Sequence, residues 1–223
     1  MKQWRKKIFK KVSYALLLPI SKWYAGSERK AMIEGISLTV KAGVFHPALF
    51  FSTKYLLGWL KVQPLAGLVV IELGAGAGLL SIYAAKQGAT VISSDISENA
   101  CNNVKENCRR NNVTVEVLQS DLFTDIPWQQ FDLMLLNPPY YPRNPVSESE
   151  YAWFCGEDFD YFQKLFFQMG RFMKSTSKAI MVLSEDCNIE VIQSLALQNN
   201  FKWRLMEQKK IWFEENYLFE ITF

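Results

Sequence analysis

From residue 68 onward, short apolar runs alternate with stretches whose apolar residues recur every three or four positions. Residues 68–73 are apolar almost throughout, the pattern of a parallel strand covered on both faces. Residues 79–87 have helical texture, and 90–94 again read as a strand. Residues 97–111 read as a helix, with Ser97 as N-cap and Glu98 in its first turn. Further strands are expected over 113–118, 131–136 and 179–184. Helices are expected over 159–173, which is rich in aromatics, and over 188–197. Two strand-like stretches close the chain, 201–210 and 212–223, with a break near 214–216 that predicts a terminal hairpin. Upstream, a helix is expected over 50–60, after Pro47. Near the start, Trp4, Ile8, Val12, Leu16 and Ile20 recur at spacing four, predicting an amphipathic helix over 1–25. The whole pattern implies an α/β protein with an open, mostly parallel sheet, in which ligands bind outside the carboxyl ends of the strands. It divides into a basic helical arm, residues 1–43, and one α/β domain, residues 44–223.

Composition changes this picture little. With 223 residues, 49% hydrophobic and 21% charged, the chain has material for one sizeable core and is not disordered. No apolar run approaches the roughly 20 residues that span a bilayer, and a cytoplasmic location is expected. Charge adds more. Up to Lys30, nine basic residues face one acid, giving +8, so the remainder of a +3 chain carries −5. A basic head on an acidic body assigns any polyanion contact to the head. The four cysteines form no CxxC pair and His46 is the one histidine, so no metal is expected. Cys101 and Cys108, seven apart on one helix, read as packing residues.

Four features fall at four predicted strand ends. Glu72-Leu73-Gly74-Ala75-Gly76-Ala77-Gly78 follows the first core strand, and its glycines let backbone approach a ligand closely. Its spacing departs from the G-x-G-x-x-G of dinucleotide-binding dehydrogenases, and an acid precedes the glycines. Both details suit a ligand with a cationic amino-acid end and no phosphate. Asp95 follows the next strand, where an acid can accept from two ribose hydroxyls. Asp121, in Gln119-Ser120-Asp121-Leu122-Phe123, stands where a carboxylate can accept from an adenine amino group. The fourth feature is Asn137-Pro138-Pro139-Tyr140. The double proline makes a rigid break at the strand end. The Asn137 side-chain oxygen and the Pro138 carbonyl then offer two fixed acceptors for the protons of a planar amino group, over which Tyr140 can stack. Such a site works by positioning and electrostatics, with no covalent intermediate.

The first three features resemble the cofactor motifs of class I S-adenosylmethionine-dependent methyltransferases. The resemblance implies a Rossmann-like, seven-stranded sheet with one antiparallel strand at its C-terminal hairpin. It implies S-adenosyl-L-methionine as cofactor, with Glu72 near the methionyl amino group and Asp95 on the ribose. Asp121 and Leu122 would frame the adenine, and Gly74, Ala75, Gly76, Gly78, Ile96 and Asn137 would complete the cofactor site. The tetrapeptide resembles that of amino-group methyltransferases acting on glutamine N5, adenine N6 or guanine N2. Cys155-Gly156-Glu157-Asp158 is similar to the Gly-Gly-x-Asp segment of HemK/PrmC-like glutamine methyltransferases, with Cys155 for the first glycine. Val44-Phe45-His46-Pro47 is similar to the start of that family's cofactor-covering helix. Phe50-Phe51-Ser52-Thr53 stands where the family usually has an acid followed by Thr or Ser. The expected reaction is therefore methyl transfer to a glutamine amide of a protein, with Asn137, Pro138, Pro139 and Tyr140 catalytic. Tyr140, Tyr141 and Trp153 are expected at the acceptor pocket. The alternatives are an exocyclic base amine in RNA or DNA, or a cofactor-binding protein without catalysis. The basic arm suits docking on a protein or RNA associated with translation; the other readings of it are a helix packed on the main domain with its basic face solvated, or a helix on a membrane surface.

Overall fold

The computed structural model describes residues 27–44, 46–47, 51–211 and 214–223, and among the described residues nine strands and five α-helices follow one another. The helix expected over residues 1–25 lies outside the described residues. Within the expected 1–43 arm, residues 29–40 are a hairpin and not a helix. Strand β1 (Arg29–Ile33) pairs antiparallel with β2 (Ile36–Val40) around Glu34-Gly35. On β2, Ile36, Leu38, Thr39 and Val40 are all buried, so the hairpin is part of the domain's packing. Helix α1 (Phe51–Leu60) follows.

The main sheet holds β3 (Val69–Leu73), β4 (Thr90–Asp95), β5 (Glu116–Gln119), β6 (Phe131–Leu136) and β7 (Met173–Ser184). It also holds β8 (Lys202–Ile211) and β9 (Glu214–Thr222). Their spatial order is β5-β4-β3-β6-β7-β9-β8. Only β9 runs against its neighbours, which gives the one antiparallel strand and the terminal hairpin. Glu214-Glu215-Asn216, expected at the break of that hairpin, are already paired in β9 with Ile211, Lys210 and Lys209. The order reverses at β3, between β4 and β6, which opens a crevice at the strand ends.

Successive residues of each strand feed opposite faces. On β3, Ile71 and Leu73 join Met134 and Leu136 of β6 in one core, under α4 (Asp160–Met169) and α5 (Ile189–Gln198). Val70, Leu133 and Leu135 join the other core, with α1, α2 (Leu79–Lys86) and the hairpin. The long aromatic helix expected over 159–173 ends as α4 at Met169. One 3₁₀ turn, Gly170–Phe172, follows, and Met173 already opens β7.

Helix α3 (Glu98–Arg110) begins at Ser97, whose hydroxyl accepts from the Ala100 N–H. Its asparagines recur at spacing four and hold β2. Asn103, Asn107 and Asn111 accept from the backbone N–H of Lys41, Thr39 and Ser37, at 3.0, 2.8 and 3.0 Å. Their amide nitrogens donate back to the Thr39 and Ser37 carbonyls at 2.7–2.8 Å. The match is metric. Four residues of helix advance about 6 Å, and two of strand about 6.7 Å. The side chains thus act as the missing neighbour of an edge strand. Asn99, one step further along, donates to the Ala42 carbonyl and ties down the turn before Gly43.

Candidate active site

All four sequence features converge on the crevice at the strand ends, around a cavity of about 790 Å³. The glycine loop forms its floor. Gly74 and Gly76 line the cavity, and both have positive φ. A Cβ built on Gly74 would meet no protein atom within 4 Å, so the residue leaves an open cradle. Gly78 does not line the cavity. It has φ +78°, and a Cβ there would press to 2.9 Å on Val104 of α3, so this glycine serves close packing between loop and helix.

Asp95 ties the loop to the end of β4. One carboxylate oxygen accepts from the Gly76 N–H at 2.9 Å and the other from the Ser97 N–H at 3.0 Å. Burial pushes its carboxyl upward against these bonds. Each oxygen has capacity for a second donor, so two hydroxyls can still bind. Ile96 and Leu122 line the same cavity. Asp121 does too, in an ion pair with Lys164 of α4. The sequence reading did not include Lys164 or Tyr161, a half-buried residue that also lines the cavity. Both lie on the first turns of α4, three residues apart, a spacing that puts them on one helix face.

Glu72 is buried and outside the large cavity. Its carboxylate accepts from both the N–H and the hydroxyl of Ser81, at 2.8 and 2.5 Å. Burial pushes it up to about 7, outweighing those bonds. With Ala75, Thr53, Gly74 and Asn137 it lines a second, small cavity of about 20 Å³. Pro47 lines it as well, and the neighbouring His46 is buried, its imidazole held below its ordinary value by burial.

Asn137, Pro138, Pro139 and Tyr140 leave β6 along the wall of the large cavity, which also meets Tyr141 and Trp153. The Asn137 amide donates from Nδ2 to Thr53 Oγ1 of α1 at 3.0 Å. The Tyr140 and Tyr141 rings pack 4.7 Å apart, and burial raises the Tyr140 phenol, so it stays neutral. Beyond them the chain makes an excursion and returns. Tyr141 N–H donates to the Trp153 carbonyl, Cys155 N–H to that of Tyr141, and Gly156 N–H to that of Arg143. Gly156 has φ +88°, and a Cβ there would collide with the Asp160 carboxylate at the start of α4. That glycine therefore closes the excursion. Cys155 is buried beside it, and Cys101 and Cys108 are buried on α3, as packing residues would be.

The site fits the expected cofactor on its donor set. Two carboxylates and a glycine cradle line one volume, and the cavity has room for a nucleoside-sized ligand with an acceptor group beside it. A model described as methyltransferase small domain matches residues 35–202. A Methanocaldococcus jannaschii protein described as a protein N5-glutamine methyltransferase is 37% identical over 113 residues, 50% of this chain and 55% of that one. A tRNA1(Val) (adenine(37)-N6)-methyltransferase of Glaesserella parasuis is 33% identical over 85 residues, 36% of each chain. Among solved structures, the Thermus thermophilus 16S rRNA N2 G1207 methyltransferase, in complex with AdoMet and guanosine, superposes with a TM-score of 0.66. The identity there is 18%, over 87% of this chain and 50% of that one. The chain thus spans about half, or less, of the length of the relatives it matches.

Proposed function

The chain belongs to the methyltransferase small domain family, and from that premise we propose that it transfers a methyl group from S-adenosyl-L-methionine to the side-chain amide nitrogen of a glutamine in a protein. The observation that carries this reading is the Asn137 amide, fixed at the end of β6 in the wall shared by the glycine loop, the two acids and the aromatic residues. Gly74, Gly76, Asp95 and Asp121 would hold the cofactor, with Ile96 and Leu122 flanking its base, and Glu72 near its cationic end. When bound, that cofactor supplies an electrophilic methyl group.

The chain's own residues do the rest. An amide nitrogen is a poor nucleophile because its lone pair is spread into the carbonyl. With one N–H on Asn137 Oδ1 and the other on the Pro138 carbonyl, the nitrogen is held with its lone pair directed along one line. The rings of Tyr140, Tyr141 and Trp153 cover the planar group and exclude water. The excess proton leaves to solvent after transfer, so no general base is required.

Charge at the mouth favours a protein acceptor over RNA. The excursion 142–158 carries Arg143 against Glu148, Glu150, Glu157 and Asp158, and three of those acids are exposed. A phosphate backbone approaching this rim meets like charge. The relative described as an N5-glutamine methyltransferase supports the same choice.

The test adds purified protein and methyl-tritiated cofactor to an extract of cells lacking the protein. The labelled macromolecules are then treated with protease or with nuclease. Protease-sensitive label is the expected result. Nuclease-sensitive label would transfer the reading to a base amine, and no label alongside tight cofactor binding would make the protein a non-catalytic binder.

A further inference from the structure

A side-chain amide is ambiguous. The terminal torsion of asparagine is broad and roughly two-fold, so its oxygen and nitrogen exchange places at little intrinsic cost. For Asn137 the two orientations have opposite consequences. One presents an acceptor to an incoming N–H, and the other presents a donor that repels it. Pro138 and Pro139, the two residues that follow Asn137, have no N–H to offer the amide oxygen.

The choice is made from α1. Thr53, buried on the first turn of that helix, places its Oγ1 3.0 Å from Asn137 Nδ2. The pair is 84 residues apart in sequence and joins two elements that are both fixed in the core. Helix α1 is held there by Tyr55, Leu56, Leu57 and Leu60, and β6 by Leu133 and Leu135. Glu72 lines the same small cavity as this pair.

We propose that Thr53 is a positioning residue: it takes the nitrogen end of the Asn137 amide and thereby commits Oδ1 to the substrate N–H. This rests on the reading of Asn137 as an acceptor for a planar amino group. The residue touches neither reacting atom; it acts through the orientation of another side chain. Serine at this position keeps the acceptor oxygen, whereas valine keeps the shape and removes it.

The experiment compares Thr53→Val and Thr53→Ser with wild type in the full chain. Three quantities are read: single-turnover methyl transfer on whichever acceptor wild type labels, cofactor affinity by calorimetry, and the Asn137 side-chain amide signal of ¹⁵N-labelled protein. Thr53→Val should slow transfer by about ten- to hundredfold, with cofactor affinity within about threefold of wild type. Thr53→Ser should stay within about threefold of wild type in transfer. The Asn137 amide protons should be protected from exchange in wild type and Thr53→Ser, and lose that protection in Thr53→Val. Transfer by Thr53→Val at the wild-type rate overturns the proposal, as does an equal fall in both variants or an amide signal indifferent to the valine. Thr53→Ala is read in the same way if the valine variant fails to fold. An RNA acceptor would remove the glutamine reading and leave this comparison intact. No transfer by wild type to any acceptor would remove the catalytic reading, and the amide signal alone would then decide whether Thr53 orients Asn137.

Discussion

At the scale of single residues, two side chains make opposite demands on the same crevice. Asn137 contributes a neutral dipole whose value lies in its direction. Asn137→Ala should therefore leave cofactor affinity within about twofold while lowering transfer by about 10²–10³, the size of effect seen when one preorganised polar partner is removed. Calorimetry and single-turnover rates measure the two separately. Glu72 contributes a charge that burial resists. Its folded-state value of about 7 lies above the ordinary 4.5. As pH rises from about 4.5 to about 7, the unfolded chain gives up this proton and the folded one keeps it. The stability due to Glu72 is therefore complete at the acid end and lost by neutral pH. Relative to Glu72→Gln, the melting temperature of ligand-free wild type should fall progressively across this interval. A parallel pair of curves would show that the carboxylate does not titrate there.

At the scale of elements, helix α3 does the work of a strand. Asn107 satisfies the buried Thr39 N–H and donates to the Thr39 and Ala77 carbonyls, joining β2 to the glycine loop. Asn107→Ala strands those backbone groups and should cost about 2–4 kcal/mol, against about 1 kcal/mol for the more exposed Asn111→Ala. Equilibrium unfolding in urea distinguishes them. Cofactor binding should weaken more in the Asn107 variant, since β2 leads directly to Gly43 and Val44 of the cavity wall.

Elements also show what the sequence makes legible. Strand β6 falls on the expected residues 131–136, and Ser97 caps its helix as expected, because local apolarity and a capping hydroxyl are written in adjacent positions. The hairpin at 29–40 was not legible. Strand β2 is buried along nearly its whole length, and its backbone is met by amides that α3 supplies about 70 positions away, a partner with no local signature. The four asparagines at spacing four were the available clue. Helix α4 ends before Gly170, where a Cβ would press on the Phe223 ring, and one 3₁₀ turn follows. At the site, the glycine loop and the acids could be read from the chain, as each follows its own strand. The Thr53–Asn137 bond and the Asp121–Lys164 pair could not, because each joins elements brought together only by the fold.

At the scale of the whole molecule, charge and chemistry lie in different parts of the chain. Residues 1–26 carry seven basic side chains and no acid, so the rest of the chain has a net charge of −4. Among the described residues, those lining the large cavity all lie at position 43 or later. Removing residues 1–26 should accordingly leave cofactor affinity within about twofold and raise the acceptor KM about tenfold or more, if the basic segment docks the acceptor. The full chain should show an acceptor KM that climbs with salt, and the shortened chain should not. Titrating both proteins with labelled acceptor at two ionic strengths decides the matter.

The asparagine-held hairpin has a further consequence, one of location. Arg29 opens β1 opposite Val40, and Gly43 of the cavity wall is only three residues beyond, at most about 10 Å of extended chain. The N-terminal segment is therefore joined to the domain beside the cavity and not across the molecule. Anything held by residues 1–26 is held on a segment covalently joined to the chain at the rim of the site. Its local concentration there is raised by that covalent junction. A grip too weak to count as binding in dilute solution would then suffice to bring one side chain repeatedly to the same opening.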